Sequence, residues 1–287
     1  MIGRVIAWAF PGQGSQRARM GAGLAAFDAL AAHARRAIGV DLAHRCVADP
    51  DPSWPADELQ QAIFVASRAA AATAHAARRP PPDAVVGHSL GEYAALVEAG
   101  VLDFDDALRL IDVRGRAMAQ AGAQPPGAMA AVLGLPADIV AETCAALGDV
   151  WVASVNSPAQ TVVSGTVAAV EAASERLESA GARLVVRLPI SIACHTPLMA
   201  PAAERLRDAL ERVALRPPQI PFYSCVDATR KRDADDVARA LVDGVTSPVL
   251  FAATIRSMRD DGFGELVEIG PGNVLRGLVR DNEPTGK

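Results

Sequence analysis

The stretch Asp83-Ala84-Val85-Val86-Gly87-His88-Ser89-Leu90-Gly91 constrains this 287-residue chain more than any other. A short apolar run that reads as a strand stops at Gly87, and Gly91 to Ala99 carries the pattern of a helix, so the chain must turn sharply between them. Glycines on both sides of Ser89 permit a tight, strained turn. Such a turn lifts the serine hydroxyl out of the backbone at a helix N-terminus, where N–H groups and the positive end of the helix dipole face it. In that setting G-x-S-x-G is a nucleophile elbow. Without the flanking strand and helix the same five residues would be an ordinary glycine turn.

Elements around the elbow follow the same alternation. Arg4 to Phe10 reads as a buried strand that runs into the turn Pro11-Gly12-Gln13-Gly14, and alanine-rich helical sequence continues to about Ala37. Leu59 to Arg78 reads as a helix, ended by Arg79-Pro80-Pro81-Pro82, and Asp105 to Ala121 as another. The middle of the chain changes rhythm. Gly127 to Leu135 is an expected strand, Pro136 to Leu147 a helix, Val150 to Val155 and Thr161 to Gly165 strands, Val167 to Ala180 a helix, and Ala182 to Pro189 a strand. This β-α-β-β-α-β order is that of a small ferredoxin-like unit. It lies between Gln124-Pro125-Pro126-Gly127 and Pro189, so the expected fold class is α/β: a hydrolase-like large domain with a parallel sheet core, residues 1–125 and 190–287, and an inserted ferredoxin-like small lobe, residues 126–189. A cleft between the two is the expected binding site.

Composition narrows the partners. With 51% hydrophobic and 21% charged residues the chain is globular, and 28 basic against 33 acidic residues give a net charge of −5, a field that disfavours nucleic acid and anionic membrane. No apolar stretch approaches the roughly 18 to 20 residues of a bilayer span. Cys46, Cys144, Cys194 and Cys225 are widely spaced, which fits reduced thiols in a cytoplasmic setting and predicts no metal site.

A serine at neutral pH needs a neighbouring base. Of the five histidines, only His195 follows Ser89 at a distance, as the base does in hydrolase-like chains, and His88 is directed away from its neighbour by the sharp turn. No acidic residue stands out as a third member, leaving a backbone carbonyl to orient the imidazole. Ala107, Ile111, Arg114 and Met118 share one helix face. An arginine in that apolar stripe is satisfied equally well by an internal carboxylate, by snorkelling, or by an external anion gripped by its planar fork. The loop at Gln13 has a Gly-x-Gly but no third glycine, so phosphate cradling is the weaker reading. It better suits a second N–H donor to an oxyanion, beside that of Leu90.

Phe10-Pro11-Gly12-Gln13-Gly14-Ser15-Gln16, Gly87-His88-Ser89-Leu90-Gly91-Glu92-Tyr93, Arg114-Gly115-Arg116-Ala117-Met118, Asn156-Ser157-Pro158, His195-Thr196-Pro197-Leu198-Met199 and Glu268-Ile269-Gly270-Pro271-Gly272 together resemble the malonyl-CoA:acyl carrier protein transacylase family almost end to end. The resemblance implies Ser89 as nucleophile, His195 as general base and acid, Arg114 as the grip on a malonyl carboxylate, and the N–H groups of Gln13 and Leu90 as the oxyanion hole. It places Gln60 and Asn156 on the substrate side and assigns the carbonyl of Gly244 to orienting His195. Malonyl-using members commonly carry phenylalanine immediately before the histidine, where this chain has Cys194, and Gly244 stands where many carry Gln or Asn. The implied reaction moves a malonyl group from CoA to the phosphopantetheine thiol of an acyl carrier protein, with no cofactor, since the CoA thioester is itself a substrate. Alternatives with the same elbow are an α-substituted malonyl donor, the malonyl transferase subunit of malonate decarboxylase, an acyl-thioester hydrolase, and a non-catalytic subunit.

Overall fold

The computed structural model describes residues 5–47, 54–123 and 125–283. Arg4 of the first expected strand and Gln124 of the breaker before the small lobe lie outside them. The chain enters through β1 (Ile6–Phe10), then α1 (Phe27–Ile38), α2 (Ala43–Val47) and α3 (Ala56–Ala76), and reaches the elbow between β2 (Ala84–Gly87) and α4 (Gly91–Glu98). After α5 (Phe104–Ala121) it builds β3 (Gly127–Leu133), α6 (Ala137–Leu147), β4 (Val150–Ser157), β5 (Gln160–Thr166), α7 (Val167–Ser179) and β6 (Leu184–Arg187). It then returns through α8 (Ala200–Leu210), β7 (Phe222–Ser224), β8 (Thr229–Lys231), α9 (Ala234–Thr246), α10 (Phe251–Asp260), β9 (Glu265–Glu268) and α11 (Val274–Asp281).

Two sheets result. The larger has the order β8-β7-β2-β1-β9, with β7, β2, β1 and β9 parallel and β8 antiparallel at one edge. Its centre is covered on both faces, which is why β1 and β2 read as unbroken apolar runs rather than alternating ones. Trp8 and Phe10 enter the core made with α1, α3, α4 and α5, while Ala7 and Ala9 face α10 and α11. The β7–β8 hairpin has no counterpart among the strands expected from sequence, because three-residue strands are too short to show a period.

The smaller sheet is antiparallel, in the order β4-β5-β3-β6, with α6 and α7 on one face. Its strands alternate. Ala128, Ala130 and Val132 of β3 pack under those helices, and Met129 and Ala131 point the other way, into a cavity shared with the large sheet's loops. Backbone bonds tie the two parts together where Val155 N–H donates to Val249 O (2.9 Å) and Val249 N–H to Ala153 O (2.9 Å).

Candidate active site

At the C-terminal end of β2 the backbone leaves the sheet at Gly87 and starts α4 at Gly91, with Ser89 at φ +52°. No larger residue fits at either glycine. A Cβ on Gly87 would lie 2.0 Å from Glu92 N, and one on Gly91 would lie 2.0 Å from Phe10 O. The turn is closed by Gly91 N–H to His88 O (3.0 Å) and Glu92 N–H to Ser89 O (3.0 Å).

Ser89 Oγ lies 2.8 Å from His195 Nε2. His195 Nδ1 lies 2.8 Å from the Gly244 carbonyl, which can only accept, so Nδ1 carries the proton and Nε2 presents its lone pair to the serine. Burial, then the nearby Arg114 guanidinium, hold the imidazole down at about 3. It is therefore neutral, and able to take a proton, throughout the physiological range.

Arg114 comes from α5 and is 4% exposed. Its Nη2 donates to Ser89 Oγ (3.2 Å) and its Nη1 to Gln60 Oε1 (2.5 Å) on α3. Among the described residues it forms no ion pair with a carboxylate. Of the readings open for this arginine, snorkelling is therefore removed. The guanidinium is delivered to the serine and borders the cavity.

That cavity, about 270 Å³, runs between the two sheets and is lined by Gln13, Ser89, Arg114, Asn156, Cys194 and His195 together with the apolar Met129, Val162, Leu188 and Leu278. Gln60 is fully buried behind Arg114 and does not border it, so its reach toward a substrate is through the arginine. Cys194 is 5% exposed, and burial pushes its thiol up to about 11, leaving it neutral. The Gln13 loop lies against the elbow at Gly12, where a Cβ would come 2.5 Å from the His88 carbonyl oxygen. The loop is pinned by Ser15 Oγ–H to Gly12 O (2.7 Å) and Gly14 N–H to Gln16 Oε1 (2.7 Å). Neither the N–H of Gln13 nor that of Leu90 has a protein acceptor among the described residues, as an oxyanion pocket requires.

Two partnerships were not read from the sequence. His88 Nε2–H donates to Asn156 Oδ1 (2.8 Å), so Asn156 also serves the residue next to the nucleophile. Glu92, buried in the first turn of α4, accepts from Ser224 Oγ (2.9 Å) and Cys225 N–H (2.8 Å), and burial raises its carboxyl to about 7. It ties the elbow helix to β7. The only sequence signal for either was presence inside a motif. Among the described residues no three His, Cys, Asp or Glu side chains gather as a metal site would need.

A strained serine, a neutral histidine aimed at it and two free N–H groups define an acyl-transferring serine site on a hydrolase-like sheet. Comparison with known proteins specifies the class. Residues 7–283 match the acyl transferase domain family. The malonyl CoA-acyl carrier protein transacylase of Haemophilus influenzae is 38% identical over 289 residues, covering 96% of this chain and 91% of the relative. The crystal structure of an acyl-carrier-protein S-malonyltransferase from Burkholderia pseudomallei superposes with a TM-score of 0.92 at 35% identity, over 97% of this chain and 93% of that one. A malonyl transacylase solved in complex with its type II polyketide synthase acyl carrier protein gives 0.93 at 35% identity, again over 97% and 93%. The chain is an acyltransferase and belongs to the malonyl-CoA:acyl carrier protein transacylase family.

Proposed function

We propose that this protein transfers a malonyl group from CoA to the phosphopantetheine thiol of an acyl carrier protein through an acyl-serine intermediate. The observation that carries the donor assignment is Arg114, a buried cation with no carboxylate ion pair among the described residues, 3.2 Å from the nucleophile. A simple acyl chain would leave that charge unpaired. The free carboxylate of a malonyl group fits its fork, which disfavours the hydrolase reading.

In the first half-reaction His195 Nε2 accepts the Ser89 proton while Oγ attacks the thioester carbonyl. The N–H groups of Gln13 and Leu90 receive the negative oxygen. The carbon–sulfur bond breaks, His195 returns the proton to the departing CoA thiolate, and a malonyl ester stays on Ser89. In the second half the carrier thiol gives its proton to His195 and attacks the ester. The new thioester forms, and Ser89 Oγ leaves with the proton from His195. Each step uses groups of this chain and the two thiols, so the reading requires no cofactor and no metal. We assign the reaction to the cytoplasm, a location supported by four free, buried cysteines.

Intact-mass measurement after mixing with malonyl-CoA tests the assignment. A malonyl adduct is expected, and Ser89→Ala should abolish it; an adduct surviving that change overturns the nucleophile. His195→Ala should slow adduct formation by roughly two to four orders of magnitude, the scale of lost general-base catalysis.

A further inference from the structure

We infer that the Asn156 side chain is a latch between the two sheets that keeps water from the acyl-serine, a role that rests on the acyl-enzyme reading above. Asn156 sits on β4, the small-sheet strand that also makes the backbone bonds to Val249. Its Oδ1 accepts from His88 Nε2–H (2.8 Å) and from the hydroxyl of Ser154, its Nδ2 donates to Gln160 Oε1 (3.1 Å), and its carbonyl accepts from Asn282 Nδ2 (2.7 Å) at the end of α11. Two donors converging on one oxygen fix the orientation of the amide. One strand therefore holds both halves of the site. The Asn156 side chain holds the residue before Ser89, and the backbone of Ala153 and Val155 holds the chain five residues beyond Gly244.

Asn156 is 7% exposed and Ser154 4%, and the half-buried His88 has its ring against Phe251, centroids 5.4 Å apart. Removing the Asn156 acceptor strands the His88 and Ser154 donors in a cavity wall. A stranded buried donor is stabilised by recruiting water. Water admitted there lies one residue from the acyl-serine. It can lose its proton to His195 and attack the ester carbonyl, with Ser89 Oγ leaving and regaining that proton as free malonate departs.

The test is the lifetime of the acyl-enzyme. Protein acylated with malonyl-CoA is freed of donor and followed by intact mass without an acceptor, with circular dichroism melts to establish folding. Asn156→Leu should shorten the lifetime about tenfold, the scale of one unmade buried hydrogen bond, and Asn156→Asp, which keeps an acceptor for His88, should restore it to within about threefold. His88→Leu, which leaves Asn156 in place to meet substrate but breaks the same join and deprives its Oδ1 of one of two donors, should also shorten it, and the double variant should leak no faster than the faster single one. The inference is overturned by a wild-type lifetime in Asn156→Leu or, if that variant does not fold, in His88→Leu, and likewise by additive effects in the double variant. Absence of any acyl-enzyme on the wild-type protein would instead count against the proposed reaction.

Discussion

Ser89 and His195 share an uncommon backbone state, φ +52° and +60°, and reach it by opposite routes. The serine is held by its immediate neighbours: β2 before it, α4 after it, and hydrogen bonds that span three residues. The histidine lies between Leu188 and Thr196, in a segment with neither helix nor strand, held by Leu188 N–H to Met129 O, Gly127 N–H to Ser191 O, Thr196 Oγ–H to Ala193 O, and by its own ring to Gly244. Left-handed φ at a residue other than glycine costs about 1–3 kcal/mol, and surrounding structure must enforce it. For the nucleophile that enforcement is mostly local, with His88 N–H to Phe10 O (2.9 Å) as an anchor on β1. For the base it comes from residues as distant in sequence as Gly127 and Met129 on one side and Gly244 on the other. Damage to the elbow should therefore be severe and structural, and damage around His195 graded.

The largest effect is expected from Gly91→Ala. Its Cβ would meet the Phe10 carbonyl, a backbone atom of the interior strand β1 that cannot swing aside, so we expect destabilisation of about 3 kcal/mol or more. Thermal unfolding of the purified variant checks this. A melting temperature within a few degrees of wild type would show that the elbow and β1 can part more easily than their packing indicates.

Arg114 joins the two regions, since its guanidinium touches Ser89 and also depresses the His195 imidazole. Arg114→Ala should lower kcat/KM for malonyl-CoA by about 2–4 kcal/mol, roughly 30- to 1,000-fold, while acetyl-CoA loses much less. The pH profile should move as well. Loss of a nearby positive charge favours protonated imidazole, so the His195 pKa rises from about 3 and the acid limb of serine acylation shifts to higher pH. Stopped-flow acylation across pH 4 to 8 reads both effects. Equal losses with both donors and an unmoved acid limb would make Arg114 purely structural.

The same contrast explains what could be read in the chain. The elbow declares itself because strand, glycine turn and helix are contiguous, and the β-α-β-β-α-β lobe does so because each of its elements spans enough residues to show a period. His195 is legible only by elimination among five histidines and by family resemblance, since a segment without secondary structure has no periodicity to announce it. Gly244 is legible through resemblance alone, because a backbone carbonyl is the same in every residue. The bond from His88 to Asn156 joins positions 68 apart on different sheets, and no local rule links them. Gln60 reads from its motif as a substrate-side residue yet lies buried behind Arg114, because motif identity says nothing of which atoms reach the cavity first.

A smaller effect is expected beside the base. Cys194 borders the cavity in front of His195, where the family's phenylalanine would occupy more space. Competition between malonyl-CoA and methylmalonyl-CoA should show measurable use of the branched donor, and Cys194→Phe should shift the ratio toward malonyl. The shift is limited to about 1–3 kcal/mol, the value of one methyl group in a pocket. An unchanged ratio would mean that Cys194 does not set the width of the site.

The smallest effect is expected at Gly244, although it supplies the group that orients the base. The glycine lies inside α9 with ordinary helical φ, and only its carbonyl is used, so a side chain there does not alter the acceptor. A Cβ would meet nothing but Val226 Cγ2, at 3.2 Å, and a methyl at the end of a half-buried side chain can give by a few tenths of an ångström. Gly244→Ala should therefore stabilise the protein slightly, by up to about 0.5–1 kcal/mol through lost freedom in the unfolded chain and better helix propensity. The rate of serine acylation should stay within about twofold of wild type, below the tenfold that 1.4 kcal/mol would produce. A fall of tenfold or more with the fold intact would mean that the base depends on play in α9 at this point, and that Ser89 and His195 differ less in how they are held than their surroundings indicate.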